Sequence, residues 1–217
     1  MPDATTARER EVRIPADGVR LDGNLVLPPG AAGVVAFAHG SGSSRLSPRN
    51  TFVAAELHRS GAGTLLFDLL TKEEDSDYHR RFDIPLLTAR LVAATRWLRG
   101  EPATQGLKIG YFGASTGAAA ALQAAAVLGD EISAVVSRGG RPDLAGADAL
   151  ARVRAPTLLL VGGLDDGVIE LNEQACALLG CEKRIQIVTG ATHLFEEPGT
   201  LEQVAAAAAD WFAVHLA

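Results

Sequence analysis

One serine of this chain lies between two glycines, at the junction of two contrasting segments. Ser115 is the middle residue of Gly113-Ala-Ser-Thr-Gly117, which follows the apolar segment KIGYF and precedes an alanine-rich segment. A sharp strand-to-helix turn here would expose the serine hydroxyl and strain its backbone, and glycines two positions away would avoid clashes. Glycine and serine also mark ordinary turns. The position between a strand pattern and a helix pattern nevertheless favours a nucleophile elbow at Ser115.

Later loops contain the other residue types that a serine nucleophile needs. A serine hydroxyl requires a base to accept its proton and an acid to orient that base. Asp165 and Asp166 follow the apolar segment PTLLLVGG, and His193 follows the strand-like segment RIQIVTG. The order serine, acid, histidine is one in which this constellation occurs. Spacing alone leaves Asp166 open as an alternative to Asp165.

The remaining histidines are weaker candidates for the base. His58 and His215 fall in helix patterns, and His79 follows the acidic segment TKEEDSD. His39 ends an apolar strand pattern, and we expect it to organise the loop that follows. His193 is therefore the predicted base.

Acyl transfer also requires preorganised donors for the oxyanion that forms in the tetrahedral intermediate. The backbone N–H of Thr116, directly after the nucleophile, is the expected first donor. We expect the second in the segment HGSGSS, from Ser41, with Gly42 as the neighbouring alternative and a further substrate contact. This segment lacks the Gly-Lys-Ser/Thr ending of a phosphate-binding P-loop and the spacing of a dinucleotide fingerprint.

Apolar strand patterns alternate with helix patterns through most of the chain, which predicts an α/β fold with a mostly parallel sheet covered on both faces. Two antiparallel strands joined by a glycine turn precede the first buried strand, GVVAFA. Helices are predicted over 84–100 and 116–128, and a terminal helix is predicted to begin with a capping box of Thr200 and Gln203. The segment 71–77 is predicted to be an exposed loop. One domain is expected over residues 1–217, with no room for a cap domain.

Composition excludes several classes of protein. The chain has 217 residues, is 47% hydrophobic, and has a formal net charge of −6, which argues against a nucleic-acid partner. Its N-terminal segment lacks the apolar core of a secretory signal, and no run is long enough to span a membrane, so a cytoplasmic location is expected.

Cys176 and Cys181 have no further ligands at zinc-site spacing and are predicted to be ordinary thiols. Neither a metal nor an organic cofactor is implied.

Segments along nearly the whole chain resemble the α/β-hydrolase superfamily, and specifically a small, capless member of the dienelactone hydrolase family. They are FAHGSGSSRLSPRN, LLFDLLT, GYFGASTGAAAAL, VVSRGGRPDLAG, LLLVGGLDDGVIELN and GATHLFEEPG. The resemblance implies an eight-stranded, mostly parallel sheet and a triad of Ser115, Asp165 and His193. The stretch GGLDDGV resembles the Gly-x-x-Asp-x-x-Val pattern of many α/β-hydrolases, which favours Asp165 over Asp166.

Dienelactone hydrolases proper use a cysteine nucleophile, whereas this chain has Ser115. The expected reaction is therefore general hydrolysis of small esters or lactones through an acyl-enzyme. A thioesterase or peptidase would use the same residues, and a ligand receptor that retains the triad without turnover is the alternative from another class.

Four arginines follow two of the predicted parallel strands: Arg45, Arg49, Arg138 and Arg141. Ion pairs with Asp143, Asp166, Glu196 or Glu197, or exposure to solvent, would give most of them a structural role. Arg138 directly follows a strand that should neighbour the one carrying Ser115, and a guanidinium can bind a carboxylate or phosphate through two hydrogen bonds. We expect Arg138 to contact an anionic group of the substrate.

Overall fold

The computed structural model describes residues 7–217, so the first six residues of the N-terminal segment considered above lie outside the described residues. Eight strands form one sheet: β1 (Arg8–Ala16), β2 (Val19–Leu27), β3 (Gly33–Ala38), β4 (Gly63–Phe67), β5 (Lys108–Ala114), β6 (Ile132–Arg138), β7 (Thr157–Gly162) and β8 (Lys183–Val188). The described residues contain seven α-helices: α1 (Pro48–Arg59), α2 (Lys72–Asp75), α3 (Ile84–Gly100), α4 (Thr116–Leu128), α5 (Ala147–Arg152), α6 (Asp166–Leu178) and α7 (Thr200–His215).

The order of strands across the sheet is β1-β2-β4-β3-β5-β6-β7-β8. Strands β1 and β2 are antiparallel, joined by a turn in which Asp17 and Gly18 both have positive φ, and β2 is antiparallel to β4. All pairings from β4 through β8 are parallel. The predicted α/β class and eight-stranded, mostly parallel sheet are confirmed, and residues 7–217 contain no cap domain.

The middle strands are buried on both faces, as their uninterrupted apolar sequence predicts. Alternate residues of β3 point to opposite faces, so Val34 and Ala36 join a core formed with α3 and α4. Val35 and Phe37 join the other core, formed with α1 and α7. The two helical layers therefore fix the carboxyl ends of the parallel strands, where the loops with the candidate site residues begin.

Two predictions about local structure are wrong. The segment predicted as an exposed loop contains α2, where Thr71 Oγ1 accepts from the Glu74 N–H and the Glu74 carboxylate accepts from the Thr71 N–H. At α7, Gly199 is the N-cap with φ of 79°, which places Thr200 inside the helix. The Thr200 hydroxyl donates to the Glu197 carbonyl instead of capping α7.

No helix in residues 7–217 combines the length and the apolar character needed to cross a membrane. Within the same residues, no group of three or more His, Cys, Asp or Glu side chains is arranged to hold a metal ion.

Candidate active site

Ser115 forms the turn between β5 and α4 and has a strained backbone. Its φ and ψ are 51° and −119°, a conformation that costs a non-glycine residue about 1–3 kcal/mol. Three main-chain hydrogen bonds hold the turn: the Ser115 N–H donates to the Arg138 carbonyl at 3.3 Å, and the Ser115 carbonyl accepts from Ala118 and Arg141, each at 3.1 Å. The surrounding main chain therefore maintains the strained turn at Ser115.

Glycines allow the main chain to pass close to this turn. A Cβ atom on Gly117 would lie 2.1 Å from the carbonyl oxygen of Ala38, and one on Gly113 would lie 2.5 Å from the Ala118 Cα. A Cβ atom on Gly40 would lie 3.1 Å from the Cβ atom of Ser115. The loop after β3 thus packs directly against the serine turn.

Asp165 and His193 lie in the loops after β7 and β8, and they are paired. The His193 Nδ1–H donates to Asp165 Oδ2 at 2.7 Å, so Nε2 is the ring nitrogen left to act as a base. The Asp165 side chain is 18% exposed and that of His193 is 37% exposed. Asp166 is the first residue of α6 and is exposed. Of the two aspartates, only Asp165 contacts His193 in the described residues.

The loop that carries His193 is held by hydrogen bonds to the Glu197 carboxylate and by the buried Phe195 ring. The Glu197 carboxylate accepts from the Thr192 hydroxyl at 2.6 Å and from the Thr192 N–H at 3.0 Å. These hydrogen bonds lower the pKa of Glu197. Phe195 is 1% exposed and has a φ of 56°, which is unfavourable for a bulky residue. Gly139 approaches from the end of β6, where a Cβ atom would lie 3.0 Å from the His193 carbonyl oxygen.

Several backbone N–H groups near the serine have no acceptor in the described residues. The Thr116 N–H lies in the first turn of α4, where helical hydrogen bonding leaves donors free, and Thr116 is 3% exposed. In the loop after β3, the N–H groups of Gly40, Ser41 and Gly42 also have no acceptor among these residues. Gly42 has a φ of 69°, and a Cβ atom there would lie 3.5 Å from Arg81 Nη1. The N–H groups of this loop are therefore available to a ligand. Gly42 faces Arg81, in the segment between β4 and α3.

His39 links the loop after β3 to the segment after β4. Its Nε2 accepts from the Leu69 N–H at 3.0 Å, and its Nδ1–H donates to the Gly40 carbonyl at 3.0 Å. Burial lowers the pKa of His39, so the ring is neutral. Both ring nitrogens are engaged, in agreement with the structural role predicted for this histidine.

Three of the four arginines near these loops have carboxylate partners. Arg45 pairs with Asp68, Arg49 with Glu196 and Arg141 with Asp143. Arg138 pairs with no carboxylate in residues 7–217, although it is buried. Its guanidinium lies 5.8 Å from the centre of the Phe195 ring.

The sheet order, the strained serine turn and the loops after β7 and β8 together define an α/β-hydrolase fold. The family model described as "Dienelactone hydrolase family" matches residues 24–216. The chain belongs to the dienelactone hydrolase family.

Known proteins support this assignment. The crystal structure of the dienelactone hydrolase from Anabaena variabilis is 56% identical in sequence and superposes with a TM-score of 0.95, covering 97% of this chain and 99% of that chain. Est1E from Butyrivibrio proteoclasticus, at 17% identity, has a TM-score of 0.81, with 94% and 98% coverage, and shows the fold alone.

Two Mycobacterium tuberculosis proteins, from strains CDC 1551 and H37Rv, are each 56% identical over 209 residues and are provisionally named phosphoribosyl transferases. The match covers 96% of this chain but 47% of each of those proteins. The chain thus spans about half the length of the curated relatives that it matches.

Proposed function

We propose that this chain is a serine hydrolase that cleaves small carboxylic esters or lactones through an acyl-enzyme intermediate. The observation that carries the proposal is the pairing of His193 with Asp165 at 2.7 Å in a fold where Ser115 occupies a strained strand-to-helix turn. A serine alone in such a turn would be a poor nucleophile. An imidazole that is oriented by a carboxylate supplies the missing base.

In the proposed reaction, the Ser115 oxygen attacks the ester carbonyl carbon and His193 Nε2 takes the hydroxyl proton. The N–H groups of Thr116 and Ser41 donate to the oxyanion, and Asp165 stabilises the imidazolium. His193 then gives its proton to the departing alcohol oxygen as the ester C–O bond breaks. Water attacks the acyl-enzyme with His193 again as base, which releases the acid and restores the Ser115 hydroxyl.

Small substrates fit the surroundings of the proposed triad. With no cap domain in residues 7–217, the site would be a shallow cleft at the carboxyl ends of the strands. Leu164, which precedes Asp165, and Leu194, which follows His193, are exposed apolar side chains next to two of the proposed triad residues in the sequence. They would contact a short acyl or alkyl group, but there is little enclosing surface for a long chain.

The phosphoribosyl transferase name belongs to relatives of about twice this length, and we do not extend it to this chain. A thioesterase or a peptidase would use the same residues and differ in the leaving group. A receptor that retains the triad would bind an ester without releasing the acid.

The experiment that tests the proposal is steady-state hydrolysis of a panel of acetate, butyrate and palmitate esters, matched thioesters and a lactone. Wild type and Ser115→Ala are compared after identical purification. We expect turnover of short esters by the wild type, lower kcat/KM for the palmitate, and loss of turnover in the variant. Equal activity of the two proteins would contradict the proposal.

A further inference from the structure

One peptide unit in the loop after β6, between Gly140 and Arg141, joins the serine turn to helix α6. Its N–H, which belongs to Arg141, donates to the Ser115 carbonyl at 3.1 Å. Its carbonyl, which belongs to Gly140, accepts from Asn172 Nδ2 at 3.0 Å. A peptide unit is planar and rigid, so a change in its direction at one end also moves the other end. Asn172 is therefore connected to the Ser115 turn through a single rigid group.

The side chain of Asn172 is fully buried on α6 and is held in one orientation. It is 0% exposed. Besides the bond to Gly140, Nδ2 donates to the Val168 carbonyl, one turn earlier in the helix, at 2.8 Å. Both hydrogens of the amide are thus used, whereas Oδ1 meets no donor among residues 7–217. The protein uses the nitrogen of this amide and not its oxygen, as a link between two carbonyl groups requires.

The loop that Asn172 contacts contains two adjacent glycines and touches two of the elements that carry the proposed triad. Gly139 has a φ of 49°, and a Cβ atom there would lie 3.0 Å from the His193 carbonyl oxygen. A Cβ atom on Gly140 would lie 2.7 Å from the Cβ atom of Ala118, in the first turn of α4. Glycines give the main chain wide conformational freedom. A side chain that anchors this loop therefore restricts the positions of both neighbouring segments.

Asn172 also lies on the helix that follows the proposed acid. Asp165 is the N-cap of α6, and its carbonyl accepts from the Val168 and Ile169 N–H groups, each at 2.9 Å. Asn172 lies about two turns further along the same helix. One side chain thus ties the helix that begins beside the acid to the loop that supports the nucleophile turn.

We propose that Asn172 is a positioning residue, which keeps the Ser115 turn in the orientation that the proposed reaction needs. The inference rests on the proposed serine hydrolase function. The hydrogen bond from Asn172 draws electron density from the peptide carbonyl, which strengthens the N–H of the same peptide as a donor to the turn. Without this link, the Ser115 hydroxyl would be within reach of His193 Nε2 for less of the time. The loss should appear in kcat more than in KM, because the link holds the nucleophile and not the substrate.

The first test replaces Asn172 with leucine, which removes the donor and keeps the approximate size of the side chain. Kinetic constants for hydrolysis of p-nitrophenyl butyrate and the midpoint of urea unfolding are measured for wild type and Asn172→Leu. We expect kcat to fall about 10- to 100-fold and KM to change by less than about threefold.

Gln123→Met is the matched control. Gln123 Nε2 likewise donates to a main-chain carbonyl after β6, that of Ala145, at 3.0 Å, but this peptide makes no hydrogen bond to the serine turn. The control should keep kcat within about threefold of wild type even where its urea midpoint falls as far as that of Asn172→Leu. An equal loss of kcat in the two variants, or no loss in Asn172→Leu, would overturn the proposal.

Asn172→Thr is a second variant that separates the two hydrogen bonds of Asn172. A threonine hydroxyl in a helix donates to the carbonyl one turn earlier, here that of Val168, but it is too short to reach Gly140. We expect kcat to fall as it does in Asn172→Leu. Wild-type kcat in Asn172→Thr would show that the link to Gly140 is not needed and would overturn the proposal.

Amide hydrogen exchange separates this inference from the catalytic proposal, because it requires no turnover. Exchange at the Arg141 N–H is followed by NMR in wild type, Asn172→Thr and Gln123→Met, with the buried Leu122 of α4 as internal reference. We expect exchange at Arg141 to be about 10-fold or more faster in Asn172→Thr alone, with Leu122 unchanged. Unchanged exchange at Arg141 overturns the proposal. Faster exchange, in a protein whose wild type hydrolyses no ester, would support the link to the serine turn and contradict the catalytic function.

Discussion

His193 Nδ1 and Asp165 Oδ2 lie 2.7 Å apart, although 28 positions separate the two residues in the chain. Parallel β7 and β8 bring them together, because the loops that leave neighbouring parallel strands share one edge of the sheet. The contact fixes the imidazole so that its other nitrogen, Nε2, is free to accept a proton.

Asp165→Asn should therefore reduce catalysis far more than stability. An asparagine retains the shape of the side chain but favours the wrong imidazole tautomer, and the analogous change in a well-studied triad lowers kcat about 10⁴-fold. We expect a fall of about 10³- to 10⁴-fold in kcat for short-ester hydrolysis. Asp166→Asn is the matched control and should stay close to wild type. If Asp166→Asn causes the large loss instead, the acid is assigned to the wrong residue.

Gly117→Ala should prevent the serine turn from packing under the loop after β3. Its Cβ would lie 2.1 Å from the Ala38 carbonyl oxygen, and main-chain atoms on both sides of this contact cannot easily move apart. We expect the free energy of unfolding in urea to fall by about 3 kcal/mol or more. Gly106→Ala, where a Cβ meets nothing within 4 Å, serves as control and should change it by less than about 1 kcal/mol. Similar stabilities for the two variants would contradict the close approach at Gly117.

His39 should make stability dependent on pH. Burial lowers its folded-state pKa below the ordinary value of 6.5, so the unfolded chain binds the proton more readily. The stabilising contribution is therefore present above pH 6.5 and is lost as pH falls from there towards the folded-state pKa, by up to about 1.4 kcal/mol per pH unit.

Urea unfolding at pH 7.5, 6.5 and 5.5 checks this prediction against His39→Gln, whose carbonyl can still accept from the Leu69 N–H. His58, whose pKa is also lowered by burial, is present in both proteins, so the difference between them isolates His39. We expect a steeper loss of stability on acidification in the wild type. Parallel pH profiles would contradict the prediction.

The helices that could be predicted from the sequence are those with strong local signals. The predicted spans 84–100 and 116–128 coincide with α3 and α4, since apolar periodicity defines the first, a run of helix-forming alanines defines the second, and both have end signals. Helix α2 has four residues, too few for a periodic pattern. The capping prediction at α7 was wrong because Gly199, in a left-handed conformation, is the N-cap, which is the position predicted for Thr200.

In the candidate site, too, features with a local sequence signal could be predicted and contacts between loops could not. Ser115, Asp165 and His193 could be proposed because each follows a recognisable strand and they occur in a known order. The contacts of Glu197 with Thr192, of Gly40 with Ser115 and of Arg45 with Asp68 arise from how the loops fold over one another. No local pattern in the sequence encodes these contacts. The single domain over residues 1–217 and the cytoplasmic location stay predictions.

The most direct test of the central claim, that Ser115 is a catalytic nucleophile, is active-site labelling with a fluorophosphonate. Wild type is incubated with a slight excess of the reagent, and short-ester hydrolysis is followed in parallel with intact mass and peptide mapping. Ser115→Ala, with folding verified by its unfolding curve, is treated identically. We expect one adduct per chain, on Ser115, growing in proportion to the loss of hydrolysis, and no adduct on the variant. Labelling at another residue, or full hydrolysis by a chain whose Ser115 is fully labelled, would contradict the claim.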